Sequence, residues 1–360
     1  MPLYLSVGLA VIAALVISFA ATPLAKKLAQ RTGAMDIPKD SRRVHNTPIP
    51  YLGGLAIFIG FIISVLLFAE ITVEIRGILI GAVIIVLVGA IDDIKPLPAL
   101  LKLLIQIVAA LVAVFHGISI EMFANPFDFN ASAYVSLQSL SIPITVVWIV
   151  AITNSVNLID GLDGLAAGVS FISSVVMLII SLIVADTNVA LIMAALSGAC
   201  LGFLPHNFNP AKIFMGDAGS LLLGYILATM SILGLFKVYA VASFAAPFLV
   251  LAVPFFDTSF AFLRRLLHGK NPMSPDRGHF HHRLLDMGLS QKQAVLILYA
   301  ISAVLGFAAI MVATSGKIGT LILVAALIIA TIVVLIIYKS KSKHAIAQRD
   351  DDKTQRPDPP

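Results

Sequence analysis

The sequence predicts an all-α polytopic integral membrane protein, and three observations carry that prediction. Of 360 residues, 59% are hydrophobic and only 12% are charged. A soluble domain has about a quarter of its residues charged, so this chain lacks the polar groups to cover its own surface. Its mean hydropathy is +1.01. The apolar residues fall in uniform runs approaching the roughly 20 residues of a bilayer crossing, without the apolar–polar alternation of a membrane β-barrel.

The runs lie at about 3–24, 51–69, 76–91, 99–117, 141–156, 166–185, 189–204, 214–234, 239–259, 294–313 and 318–338, which makes about eleven transmembrane helices. The first follows no basic segment and lacks a convincing small-residue cleavage site, so it reads as a span rather than a removed signal peptide. The single cysteine, Cys200, lies within an apolar run and excludes an intrachain disulfide.

Charge orients the runs. Of 24 Lys and Arg, only Arg76, Lys237 and Lys317 fall in the loops of one side. The positive-inside rule places the basic loops in the cytoplasm and the N-terminus outside, and an odd span number leaves the C-terminus in the cytoplasm. The outer loop 118–140 reads as a cap. Residues 1–338 form one multi-span domain, and the polar tail 339–360, ending Pro-Asp-Pro-Pro, is expected to be disordered.

Six carboxylates collect where spans meet the cytoplasmic side: Asp92, Asp93, Asp160, Asp163, Asp217 and Asp257. A chain with so few charges does not need them there for solubility, and chemistry is the better reason. Adjacent Asp92 and Asp93 cannot both ionise cheaply near low dielectric without a positive partner. Lys95 is one candidate, and a divalent cation held by carboxylate oxygens is another. Asp160 and Asp163, three apart, share a face if the segment is helical. Asn157 beside them can donate and accept toward a base or sugar. The plain alternative, a helix cap at Asp160, explains one of these acids but not two.

Asp217 opens a span in Phe214-Met215-Gly216-Asp217-Ala218-Gly219-Ser220, where helix N-terminal amides suit a phosphate. Phe214 is placed to stack on a base or to anchor at the interface. Arg277, His279, His281, His282 and Arg283 form a basic cluster. Without Cys or carboxylate partners it reads as an anion grip rather than a zinc site. His45, beside Arg42 and Arg43, fits the same purpose.

Taken together, Asp92-Asp93-Ile94-Lys95, Asn157-Leu158-Ile159-Asp160-Gly161-Leu162-Asp163-Gly164, the Phe214–Ser220 segment and His279-Phe280-His281-His282-Arg283 resemble the polyprenyl-phosphate N-acetylhexosamine-1-phosphate transferase family over residues 20–290. The resemblance implies a Mg²⁺-dependent enzyme, with Mn²⁺ as a substitute, in the bacterial cytoplasmic membrane. Such an enzyme passes a sugar-1-phosphate from a UDP-sugar to undecaprenyl phosphate and releases UMP. It implies Asp217 and Asp92 as metal residues, and Asp92, Asp93, Asp160 and Asp163 as catalytic residues. Lys95, Asn157, Phe214, Arg277, His279, His281, His282, Arg283 and His45 are then substrate-binding.

Phe280 interrupts the histidines, whereas the branch using UDP-MurNAc-pentapeptide carries three in succession. This resembles the GlcNAc branch, so UDP-GlcNAc is the expected donor and the pentapeptide donor the alternative. Expected partners are that donor, the polyprenyl phosphate and the bilayer; no nucleic acid is expected, and a homodimer is compatible. A transporter is the rival class, but its polar residues would gather near the bilayer midplane, not at one edge.

Overall fold

Helix occupies the described part of each of the first ten apolar runs in the structure, a computed structural model that describes residues 2–37, 48–124, 134–235, 245–267, 269 and 279–314. The expected span at 318–338, the tail 339–360, His45 and Arg277 lie outside the described residues.

In chain order the helices are α1 (Leu3–Thr32), α2 (Gly53–Phe68), α3 (Val73–Ile94), α4 (Ala99–Phe115), α5 (Ser141–Ile159), α6 (Leu165–Ile183) and α7 (Thr187–Asn207). They continue as α8 (Gly216–Gly234), α9 (Ala245–Val250), α10 (Ala252–Leu267), α11 (Phe280–Asp286) and α12 (Gln291–Thr314). Among the described residues seven helices, α1, α3, α5, α6, α7, α8 and α12, are long and apolar enough to cross a bilayer. Helices α2 and α4 are apolar but shorter, at 16 and 17 residues. An all-α multi-span membrane protein is what the sequence implies, and these seven long apolar helices among the described residues agree with it.

Two small antiparallel pairs sit in loops. Strand β1 (Met35–Asp36) pairs with β2 (Ile49–Pro50), Met35 opposite Pro50. Strand β3 (Met122–Ala124) pairs with β4 (Tyr134–Ser136) in the loop before α5.

Helix ends follow local chemistry. Helix α1 stops at Gly33, whose φ of +78° is the left-handed conformation that glycine adopts without steric cost. The Thr72 hydroxyl accepts from Ile75 N to start α3, and the Asp186 carboxylate accepts from Val189 N to start α7. The run 239–259 breaks between α9 and α10. Pro254 has no N–H for the Val250 carbonyl, and the Ser173 hydroxyl of α6 donates to that carbonyl instead, at 2.9 Å.

Helix α8 is the axis of the bundle, buried nearly throughout and packed by α2, α3, α5 and α6. Small residues let its neighbours approach its first turns, as membrane helix packing favours. A Cβ on Gly54 would lie 2.1 Å from Gly219 N, and one on Gly89 would lie 2.5 Å from the Ala218 Cα. Backbone bonds fix the same junction: Gly53 N donates to Phe214 O at 3.0 Å and Gly54 N to Met215 O at 2.8 Å. Helices α3 and α5 therefore finish where α4 and α8 begin, and four helix ends meet at one end of the bundle.

Candidate active site

At that meeting point one ammonium joins two carboxylates. Lys102, in the second turn of α4, lies 3.0 Å from Asp92 Oδ2 and 2.9 Å from Asp217 Oδ2. Asp92 comes from the last turn of α3 and also accepts from Leu97 N at 2.6 Å, which folds the α3–α4 turn back onto it. The other oxygen of Asp217 accepts from Asn157 Nδ2 of α5 at 2.9 Å. The same Asn157 amide donates to Ser220 Oγ at 2.8 Å. These groups are only partly exposed, with side chains 27% for Lys102, 13% for Asp92 and 23% for Asp217, so their charges interact more strongly than in bulk water.

Asp93 is held differently. Its two oxygens accept from Asp217 N at 2.7 Å and Ala218 N at 3.2 Å. A carboxylate on the free amides of a helix start satisfies orphan donors and complements the helix dipole. Gly216 has φ of +70°, and a Cβ there would lie 2.3 Å from Asp93 Oδ2. No other residue fits that turn without displacing Asp93.

Helix α5 ends at Ile159, so the shared face expected of Asp160 and Asp163 does not form. Asp160 terminates the helix among like charges. Desolvation first, then the carboxylates of Asp217, Asp93 and Asp163, push its pKa up to about 8. Asp163 turns to the loop before α8: its Oδ2 accepts from Asn209 Nδ2 and Ala211 N, both at 2.9 Å. Asn209 also donates to Gln291 of α12, and the Tyr299 hydroxyl of α12 donates to the Gly164 carbonyl. Asp163 thus anchors two loops that frame the site.

The histidine segment reaches the same turn. A Cβ on Gly161 would lie 2.6 Å from His281 Nε2. His281 is buried and stacks on His279, ring centroids 5.7 Å apart at 8°, and the His282 ring lies tilted against it at 4.3 Å. Burial first, then the neighbouring His282, hold the His281 pKa down to about 4, so its ring is neutral near pH 7. Asp257 joins this segment rather than the other carboxylates. Its Oδ2 lies 3.0 Å from His279 Nδ1, and its Oδ1 accepts from Phe280 N at 2.8 Å, capping α11. Phe280 itself is turned outward, and the Arg283 guanidinium lies 5.5 Å from the Phe260 ring centroid.

Of the residues singled out in the sequence, Asp92, Asp93, Asp160, Asn157 and Asp217 come together, and His279, His281 and His282 gather against the adjoining turn. Phe214 packs 5.9 Å from Tyr51 at the edge of the same loop. Lys95 is exposed at the end of α3; the ion pair assigned to it belongs to Lys102. Lys102 and the pairing of Asp257 with His279 were missed. A signal for Lys102 existed: it and Gln106 are polar residues four apart on an otherwise apolar helix.

Among the described residues no three His, Cys, Asp or Glu side chains converge as a metal cage. The donor chemistry still suits a hard cation. Asp92 Oδ2 and Asp217 Oδ2 already converge on one positive centre, and Mg²⁺ is commonly held by one or two carboxylates with substrate phosphates completing its shell.

A helical bundle of membrane-spanning length that gathers carboxylates, an amide and an ammonium at one end has the polar groups that a membrane enzyme acting on a charged substrate requires. Residues 75–235 match glycosyl transferase family 4. The chain is 42% identical over 290 residues, 80% of each chain, to the probable undecaprenyl-phosphate N-acetylglucosaminyl 1-phosphate transferase of Bacillus subtilis (strain 168). It is 38% identical to the decaprenyl-phosphate N-acetylglucosaminephosphotransferase of Mycobacterium tuberculosis (strain ATCC 25618 / H37Rv), covering 82% of this chain and 80% of the relative. It is 30% identical to the phospho-N-acetylmuramoyl-pentapeptide-transferase of Staphylococcus aureus (strain MW2), covering 81% and 95%. The chain belongs to the polyprenyl-phosphate N-acetylglucosamine-1-phosphate transferase branch of that family.

Proposed function

We propose that the chain transfers GlcNAc-1-phosphate from UDP-GlcNAc to undecaprenyl phosphate, giving undecaprenyl-diphosphate-GlcNAc and UMP. This would be the first membrane step of a cell-envelope glycan pathway such as wall teichoic acid synthesis. The observation that carries the reading is the Asp92–Lys102–Asp217 bridge beside Asn157, with opposite charges held within 3.0 Å at the mouth of an apolar bundle.

An oxygen of the lipid phosphate attacks the sugar-bearing phosphorus, the bond from that phosphorus to the UMP oxygen breaks, and UMP leaves with the electron pair. The lipid phosphate is a monoester with a second pKa near 6, so it needs little deprotonation at neutral pH. Lys102 presents positive charge to the oxygens of the transferred group. Asp217 and Asp92 would hold Mg²⁺, or Mn²⁺ in its place, and a bound cation supplies neutralisation of the diphosphate charge. Asn157 orients Asp217, and the His279–Arg283 segment faces the donor from the Gly161 side.

The basic loops support a site facing the cytoplasm, an N-terminus outside and eleven spans in a bacterial cytoplasmic membrane. The higher identity to GlcNAc-phosphate transferases, and Phe280 between His279 and His281, support UDP-GlcNAc over UDP-MurNAc-pentapeptide as donor. The test is UMP release by detergent-purified protein with undecaprenyl phosphate and Mg²⁺, offered each donor separately. Release with UDP-GlcNAc and a lipid-linked GlcNAc diphosphate is expected. Release only with the pentapeptide donor would overturn the donor assignment, and none with either would overturn the reading.

A further inference from the structure

One turn deeper than the Lys102 bridge, two amides face each other across α4 and α5. Gln106 Nε2 donates to Asn154 Oδ1 at 3.3 Å, and Asn154 Nδ2 donates back to Gln106 Oε1. The Asn154 amide also donates to the Val150 carbonyl at 2.8 Å, which fixes its rotamer on α5. Gln106 is 4% exposed. Such a pair is costly to desolvate and weak as mere glue, because apolar residues of similar shape would pack the same gap.

The register suggests what it is for. Gln106 follows Lys102 by four residues and Asn154 precedes Asn157 by three, so each amide lies on the same helix face as a residue that contacts Asp217. The vertical separation is about 6 Å on α4 and about 4.5 Å on α5. Asp217 accepts from Lys102 on one oxygen and from Asn157 on the other, both at 2.9 Å. That double contact requires a fixed spacing and axial register between α4 and α5. A reciprocal amide pair is directional and sets both, whereas an apolar contact would let the helices slide.

We infer that Gln106 and Asn154 are positioning residues for the transfer reaction, a clasp that locks α4 against α5 so that Lys102 and Asn157 reach Asp217 together. The inference rests on the assignment of Asp217 and Lys102 to the transfer site. It adds two residues that touch neither substrate nor the reacting atoms.

The experiment compares Gln106→Leu, Asn154→Leu, the double Gln106→Leu/Asn154→Leu variant and the exchanged pair Gln106→Asn/Asn154→Gln. UMP-release kcat and KM and the thermal unfolding midpoint in detergent are read for each, with Asp217→Asn in parallel. Each single variant is expected to lower kcat at least tenfold with a smaller change in KM for UDP-GlcNAc. The double leucine variant should recover the unfolding midpoint but keep the low kcat, and the exchanged amide pair should recover part of the kcat. Recovery of both midpoint and kcat by the double leucine variant would reduce the pair to packing and overturn the inference. So would single variants with unchanged kcat. If Asp217→Asn itself turns over normally, the site assignment has failed instead. If it is inactive while the double leucine variant is fully active, only the clasp has failed.

Discussion

Lys102 Nζ lies 2.9 Å from Asp217 Oδ2, and this contact ties the start of α4 to the start of α8. The same ammonium is 3.0 Å from Asp92. Its removal leaves two partly buried carboxylates facing each other and, under the proposed mechanism, takes a fixed positive charge from the transferred phosphate. Lys102→Met is expected to lower kcat by about 100-fold or more, the scale for losing one preorganised charge partner. Lys102→Arg should retain part of the activity, because it keeps the charge but not the compact single-point geometry. UMP release at saturating donor and lipid phosphate is the check.

Asp93 and Asp217 are neighbours with different partners, and their variants should separate. Asp93 accepts the amides of Asp217 and Ala218, so Asp93→Ala loses a helix cap worth about 1–2 kcal/mol and should lower the unfolding midpoint. Asp217→Asn keeps the fold and should lose metal-dependent turnover. Appreciable turnover with ordinary Mg²⁺ dependence in Asp217→Asn would remove it from the metal site. Measuring midpoint and turnover on both variants resolves the two duties.

The apolar runs and the acids at their ends are written plainly in the sequence, because the bilayer sets span length and makes carboxylates at the edge costly. What the sequence hides is how the chain turns between spans. Lys95 is closer to Asp92 in sequence than Lys102 is. Yet the turn containing Pro96 and Pro98 carries Lys95 outward and brings the second turn of α4 back onto the end of α3. Asp160 and Asp163 look like one helical face until α5 is seen to stop between Asn157 and Asp160. Asp257 looks like a sixth member of the acidic cluster, but tertiary packing gives it to His279. Each difference arises at a chain reversal, where periodicity no longer says which way a side chain points.

Asp160 sets a pH dependence. Its pKa is raised from the usual 3.8 to about 8 by desolvation and by the carboxylates around it. The folded state therefore holds this proton more tightly than the unfolded chain does. The stabilising contribution is complete below about pH 4 and is lost as pH rises through about 8. In the presence of a chelator, the unfolding midpoint is expected to fall between pH 5 and 9, and Asp160→Asn should flatten that slope. Added Mg²⁺ should also flatten it, since a cation at Asp92 and Asp217 offsets the repulsion. A midpoint that falls equally in Asp160→Asn would assign the titration elsewhere.

Gly161 controls how closely the histidine segment approaches the carboxylates. A Cβ at this position would lie 2.6 Å from His281 Nε2 and 3.2 Å from its Cε1, and the His281 ring is buried with little room to retreat. Gly161→Ala is expected to push the segment away and lower kcat/KM for UDP-GlcNAc by about 100-fold, the scale of a displacement near 1 Å. The contact can be isolated by a double-mutant cycle. If the His281 ring is what the added methyl group strikes, the Gly161→Ala change should cost little more in a His281→Ala background, where the obstructing atoms are gone. An equal cost in both backgrounds would trace the defect to the backbone of the turn instead of to the histidine. Because His281 is neutral down to about pH 4, this coupling is steric rather than electrostatic, and its size should be the same at pH 6 and pH 8.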